Sequence, residues 1–363
     1  MLGAMGQPPS LTSRFAAAAP PAGSSRWHCN VGYLARTTVR HRGGALALLA
    51  VMLERVIRRN RWHIWILTTV SVVNYWVILA LLATLFGWSL TEKIAPDSVV
   101  RPWIFWSAGG ATGLLIAVLA VGKQFRRIRP RAVSALGAVH IKPGELPRVE
   151  NLLVELAIAV GAPPVEAALL DDDAPNALAV GYRQSRTVIV ITTGLVEKLT
   201  RDELEAVLAV EMCSIRRLDT AMQSVALAAN KGAISIHRQQ RDEWKDPRAW
   251  LWIALTWPSM VVAELARSRA LRWAGCGADD MAVAVTRHPE ALCRSLEKLR
   301  DDPNEVALLD DLTAPLWFEP VPHQDPDRAR EFRSVAVAPT LAQRLERLSL
   351  TAPPGPRDRN PTG

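Results

Sequence analysis

Glu211 is the residue whose type and setting best fit it for chemistry. It falls four positions after Val207 and four before Ile215. On a helix these three share one face, and Leu204 and Leu208 make that face apolar. A carboxylate in such a stripe is costly to ionise unless a cation or a metal lies opposite, or unless it keeps its proton. Without such a partner it sits as a neutral acid in a buried network. Metal donors are scarce around it. The histidines, at positions 28, 41, 63, 140, 237, 288 and 323, never fall three or four apart, so no helix face carries a pair of imidazoles able to share one ion. Cys29, Cys213, Cys276 and Cys293 form no C-x-x-C pair, which excludes a zinc knuckle or a dense disulfide framework and suits a reducing compartment.

The elements that must position Glu211 are well signalled. Thr200 and Glu203 have T-x-x-E spacing, in which each side chain satisfies a backbone N–H of the first helical turn, so a helix starts there. Before it, RTVIVITTG from Arg186 to Gly194 is dense in β-branched residues and ends at glycine, the pattern of a strand. Earlier still, Val149, Leu152, Leu153, Leu156, Ala157 and Val160 recur at helical spacing between Pro147 and Gly161, which predicts a helix with one buried stripe.

Five segments in collinear order, spread over roughly residues 135 to 348, resemble HtpX-like membrane zinc metallopeptidases, a family that includes the CAAX prenyl proteases. They are DAPNALAVG at 173–181, RTVIVITTGLVEKLTRDELEAVLAVE at 186–211, RRLDT at 216–220, ADDMAVAVTRHPEAL at 278–292 and TAPLWFEP at 313–320. The resemblance implies a mainly α domain with a small β-sheet, an α+β zincin-like fold. It also implies H-E-x-x-H on the helix of Glu211, with two imidazoles gripping zinc and the glutamate activating water. Here that stretch reads V-E-M-C-S. Val210 and Ser214 stand at the two histidine positions, and only Glu211, at the general-base position, is retained. The family's third ligand, a glutamate, aligns with Gly275, or with Cys276 after a shift of one. A His-Pro step near the C-terminal helix is replaced by Ala338 and Pro339.

The resemblance thus predicts a degenerate zinc site and no cofactor. Zinc remains the expectation only if a site is rebuilt from Cys213, Cys276 and Glu211 with Asp279 or His237, since thiolate and carboxylate both bind it. Asp219 and Asp279 match positions that brace the ligands in the family. They are expected to join Glu211 in a buried network whose cation is Arg216, Arg217 or Arg272. Asn176, Val188, Val190 and Thr192 are the expected substrate-strand groove, with 186–194 as an edge strand adding to extended polypeptide. A strand covered by neighbouring structure fits the same residues.

Around this domain the chain is organised for a membrane. With 49% hydrophobic and 21% charged residues, it has material for one core plus spans. Residues 1–51, rich in Ala, Pro, Ser, Gly and Arg, are expected to form a disordered arm, and 350–363 a disordered tail. Two uncharged stretches, about 64–88 and 103–122, each suffice to cross the hydrocarbon core and predict a transmembrane hairpin within 52–132. Trp62, Trp65, Trp88, Trp103 and Trp106 mark the span ends. Arg55, Arg58, Arg59 and Arg61 precede the first span, and Lys123, Arg126, Arg127, Arg129 and Arg131 follow the second. The connecting loop holds only Lys93 and Arg101. This asymmetry predicts a multi-pass inner-membrane protein whose domain, 133–349, is cytoplasmic. The net charge of +8 is accounted for by these flanks, so the bilayer rather than nucleic acid is the expected partner. Residues 249–263, apolar but short and interrupted by Pro258, are expected to enter or line the membrane.

Three functions follow as expectations. The first is a silent pseudopeptidase that binds polypeptide or membrane-protein partners. The second is an active zinc endopeptidase of membrane-protein quality control with atypical ligands, and the third a membrane scaffold.

Overall fold

The computed structural model describes residues 42–94, 102–228, 261, 277–307, 316–319 and 339–351. Gly275, Cys276, His237, Arg272 and almost all of 249–263 lie outside them. The chain is mainly helical with one small mixed sheet, as the sequence predicts.

Two long helices lead the chain. Helix α1 runs from Arg42 to Ile94 and α2 from Pro102 to Arg126. Ile64 of α1 and Phe125 of α2 share an apolar cluster, while Trp76 Nε1 donates to the Gly110 carbonyl at 2.8 Å. The pairing therefore runs antiparallel. A Cβ on Gly113 would meet Leu79 Cβ at 3.4 Å, so this small residue permits the close approach of the two helices. One segment among the described residues, Val51–Thr84, is long and apolar enough to cross a membrane. Helix α1 starts ten residues inside the arm expected at 1–51.

After α3 (Ile128–Leu136) come β1 (Val139–His140), α4 (Pro147–Val160), β2 (Glu166–Leu170), β3 (Ala177–Gly181) and β4 (Thr187–Thr192). All six stripe residues of α4 are buried. Its C-cap Gly161 adopts φ 69°, a left-handed conformation that side chains disfavour. The sheet order is β1-β2-β4-β3, with β2 parallel to β4 and the other neighbours antiparallel. The segment expected to be an edge strand is therefore interior. All six β4 residues are buried, which explains why they read as a continuous apolar run rather than an alternation. The edge strand on that side is β3.

Helices α5 (Thr193–Lys198) and α6 (Arg201–Arg216) follow directly, then helical residues 219–228 (α7) and 277–286 (α8), α9 (Pro289–Asp301) and α10 (Leu341–Thr351). Helix α6 packs against α4 and α9 beside β3. Val207, Leu208, Met212 and Ile215 are buried there with Leu292, Leu296 and Leu299.

Candidate functional site

The N-terminus of α6 is held as its sequence predicts. Glu203 accepts a hydrogen bond from the Thr200 N–H at 2.9 Å, closing the capping box, and Lys298 of α9 pairs with the same carboxylate at 2.7 Å. This end fixed, Glu211 falls about three turns further along the buried face and is only 6% exposed. Val210 beside it is buried, and Ser214 is half-buried.

Among the described residues, the charges that act on Glu211 are Arg344 of α10 and Asp279 of α8. Those two residues form a bidentate pair. Arg344 Nε donates to Asp279 Oδ2 at 2.9 Å and Nη2 to Oδ1 at 2.7 Å. Nη1 donates to the Phe318 carbonyl at 3.0 Å, and the guanidinium lies over the Phe318 ring at 4.2 Å. Because the guanidinium is shared with Asp279, Glu211 has no full counter-charge of its own. Burial pushes its carboxyl up to about 8, opposed by Arg344 and reinforced by Asp279. Burial therefore favours its protonated form.

Among the described residues, the cation that acts on Glu211 is Arg344, paired with Asp279, rather than Arg216 or Arg217. Arg217 is occupied elsewhere: its Nε donates to Asp219 Oδ2 at 2.7 Å. Asn60 of α1 completes that second cluster, donating to Asp219 Oδ1 at 2.6 Å and to the Arg217 carbonyl at 2.9 Å. Arg216 lies at the last turn of α6 and lines a different cavity. Of the two aspartates expected beside Glu211, Asp279 is there, whereas Asp219 ties the long α1 helix to the end of α6. Arg344 carried a signal of its own. It sits within the stripe Leu341, Leu345, Leu348 at helical spacing, a lone cation on an apolar face that mirrors Glu211.

These residues do not fit a zinc ion. Val210 offers no donor, Ser214 only a neutral hydroxyl, and among the described residues no three His, Cys, Asp or Glu side chains converge on one point. Cys213 is buried, and desolvation pushes its thiol up to about 12, opposed by the Arg217 charge.

The groove residues are used within the chain. Asn176 Oδ1 accepts from the Glu319 N–H and its Nδ2 donates to the Glu319 carbonyl, both at 3.1 Å. Thr192 Oγ1 braces Asn176, accepting from its N–H and donating to its carbonyl at 2.9 Å each. Next to them the Phe318 N–H donates to the Ala177 carbonyl at 2.7 Å, and Trp317 bridges antiparallel to Leu178. Residues 317–319 therefore lie along the β3 edge. Val188 and Val190, fully buried, pack with Leu178, Leu316 and Trp317.

The profile of peptidase family M48 matches residues 143–351, more than half of the chain. The chain belongs to peptidase family M48. Among its M48 relatives, a protease HtpX homolog of Levilactobacillus brevis is 26% identical over 273 residues, covering 68% of this chain and 88% of the relative. A protease HtpX homolog of Dictyoglomus thermophilum is 30% identical over 217 residues, covering 57% and 70%. One of Streptococcus gordonii is 24% identical over 318 residues, covering 82% and 99%. The crystal structure of S. mikatae Ste24p aligns with a TM-score of 0.35 at 17% identity, covering 78% of this chain and 66% of that one, too slight a likeness to bear on the fold. This is a membrane HtpX-like member of M48.

Proposed function

We propose that this chain is a catalytically silent M48 protein, anchored in the membrane and working by binding rather than hydrolysis. One observation carries the reading: Glu211 keeps the buried face of α6, while the residues flanking it at the imidazole positions, Val210 and Ser214, have no capacity to hold zinc. Without a metal, no water beside Glu211 is activated for attack on a peptide bond. The retained acid is then structural, a buried neutral group beside the Arg344–Asp279 pair. The arginines before the uncharged stretch of α1 and the basic residues at and after the end of α2 support a hairpin in the inner membrane with the M48 domain in the cytoplasm.

The partner is a polypeptide or a membrane protein. The β3 edge at Ala177–Leu178 holds the chain's own residues 317–318, so such a partner engages another surface or displaces that segment. The test uses full-length protein in detergent, with metal content and cleavage of an unfolded polypeptide read side by side. The account expects no bound zinc and no cleavage. Retention of Glu211 favours the other reading, an endopeptidase with atypical ligands. That reading requires stoichiometric zinc and cleavage abolished by Glu211→Gln.

A further inference from the structure

A cavity of about 700 Å³ lies where the two long helices meet the M48 domain. Five arginines line it: Arg61 from α1, Arg126 from α2, Arg183 and Arg186 from the turn between β3 and β4, and Arg216 from the end of α6. No aspartate or glutamate is among the lining residues. None of the five arginines is ion-paired among the described residues. Arg186 Nη1 donates to the Tyr182 hydroxyl at 3.0 Å, Arg183 lies 5.6 Å from the Tyr182 ring centroid, and the buried Nε of Arg216 has no hydrogen-bond partner. Five guanidinium groups drawn from four elements repel one another unless an anion joins them.

The rest of the lining defines which anion. Ile64, Trp65, Thr68, Gly122 and Phe125 form an apolar wall, and they belong to the parts of α1 and α2 where the uncharged stretches begin and end. Trp65 is 63% exposed, as a ring at the headgroup level is. The cavity therefore joins an arginine rim to a wall continuous with the hydrocarbon-facing helices. A soluble phosphate satisfies only the rim; an anionic phospholipid satisfies both, its phosphate on the arginines and its acyl chains along α1 and α2.

We infer that this cavity binds the headgroup of an anionic phospholipid. The inference rests on the reading of α1 and α2 as the membrane anchor and is independent of whether the protein hydrolyses anything. Occupancy joins the anchor to the domain, because Arg61 and Arg126 come from α1 and α2 while Arg183, Arg186 and Arg216 come from the domain.

The test is native mass spectrometry of the full chain in detergent, titrated with phosphatidylglycerol, phosphatidylcholine or inorganic phosphate. Saturable retention of one phosphatidylglycerol is expected, with phosphatidylcholine bound far more weakly and inorganic phosphate unable to displace the lipid. At about 1 kcal/mol per arginine, R183Q/R186Q/R216Q is expected to lower that affinity on the order of 100-fold. The charge-preserving R183K/R186K/R216K is expected to stay within about tenfold of the native chain. Should the triple glutamine chain not fold, R61Q/R126Q, on exposed helix positions, carries the test, with a loss on the order of 30-fold expected. Equal retention of the two lipids, displacement by phosphate alone, or undiminished binding by a folded glutamine variant would overturn the inference.

Discussion

Arg344 and Asp279 are joined by two hydrogen bonds of 2.9 and 2.7 Å in the shared interior of α10 and α8, with both side chains buried beside Glu211. Truncating one partner strands the other as an uncompensated buried charge. Arg344→Met is therefore expected to lower stability by about 3–5 kcal/mol, while Asp279→Leu/Arg344→Met together recover most of the loss. Denaturant unfolding of the two variants against the native chain reads this directly. A double variant no more stable than the single one would show that the pair is not the unit.

Glu211 gives stability a pH dependence of definite sign. Its folded value of about 8 stands above its ordinary 4.5. Between those values the folded chain holds a proton that the unfolded chain has released, so stability falls as pH rises through the window and levels off above it. Glu211→Gln removes that slope. The variant is expected to match the native chain near the lower limit and to exceed it near the upper one, by a few kcal/mol at most. A native chain that instead gains on Glu211→Gln as pH rises has Glu211 ionised when folded, as a metal-assisted base would be.

Asn60 is the polar link from α1 into the domain, through Asp219 and the Arg217 carbonyl. Hydrogen bonds to charged groups contribute about 1.5–3 kcal/mol, so Asn60→Ala is expected to loosen the turn after α6 by that order. Hydrogen exchange over residues 214–222 should quicken while exchange in α4 stays unchanged. Uniform quickening throughout the domain would instead mean a global loss of stability.

Restoring donors tests whether the helix face is still the metal face. Val210→His/Ser214→His/Gly275→Glu places two imidazoles four residues apart on α6, flanking Glu211, with the carboxylate the family pattern requires. This triple variant is expected to bind one zinc per chain, seen by metal analysis after dialysis. Failure of a folded variant to bind any would show that the geometry beside Glu211 has changed along with its residues.

Much of this arrangement was legible in the sequence. The α4 stripe and the Thr200–Glu203 capping box are local patterns, and local patterns survive folding. The buried face of Glu211 followed from the same helical spacing. What sequence missed depends on chain crossings. The order of strands put β4 between β2 and β3, and a run of β-branched residues reads alike at an edge or in the middle. The cation beside Glu211 came from 133 positions downstream rather than from the adjacent arginines, since burial and not sequence distance decides which charges meet. Arg216, expected there, lines the cavity beside α1 and α2 instead.

Zinc content of the purified full-length chain tests the central claim most directly, read with cleavage of an unfolded polypeptide in the same preparation. The account expects zinc well below one equivalent, unchanged by Glu211→Gln, and no cleavage with or without added zinc. One tightly held zinc per chain, with chelator-sensitive cleavage that Glu211→Gln abolishes, would contradict it.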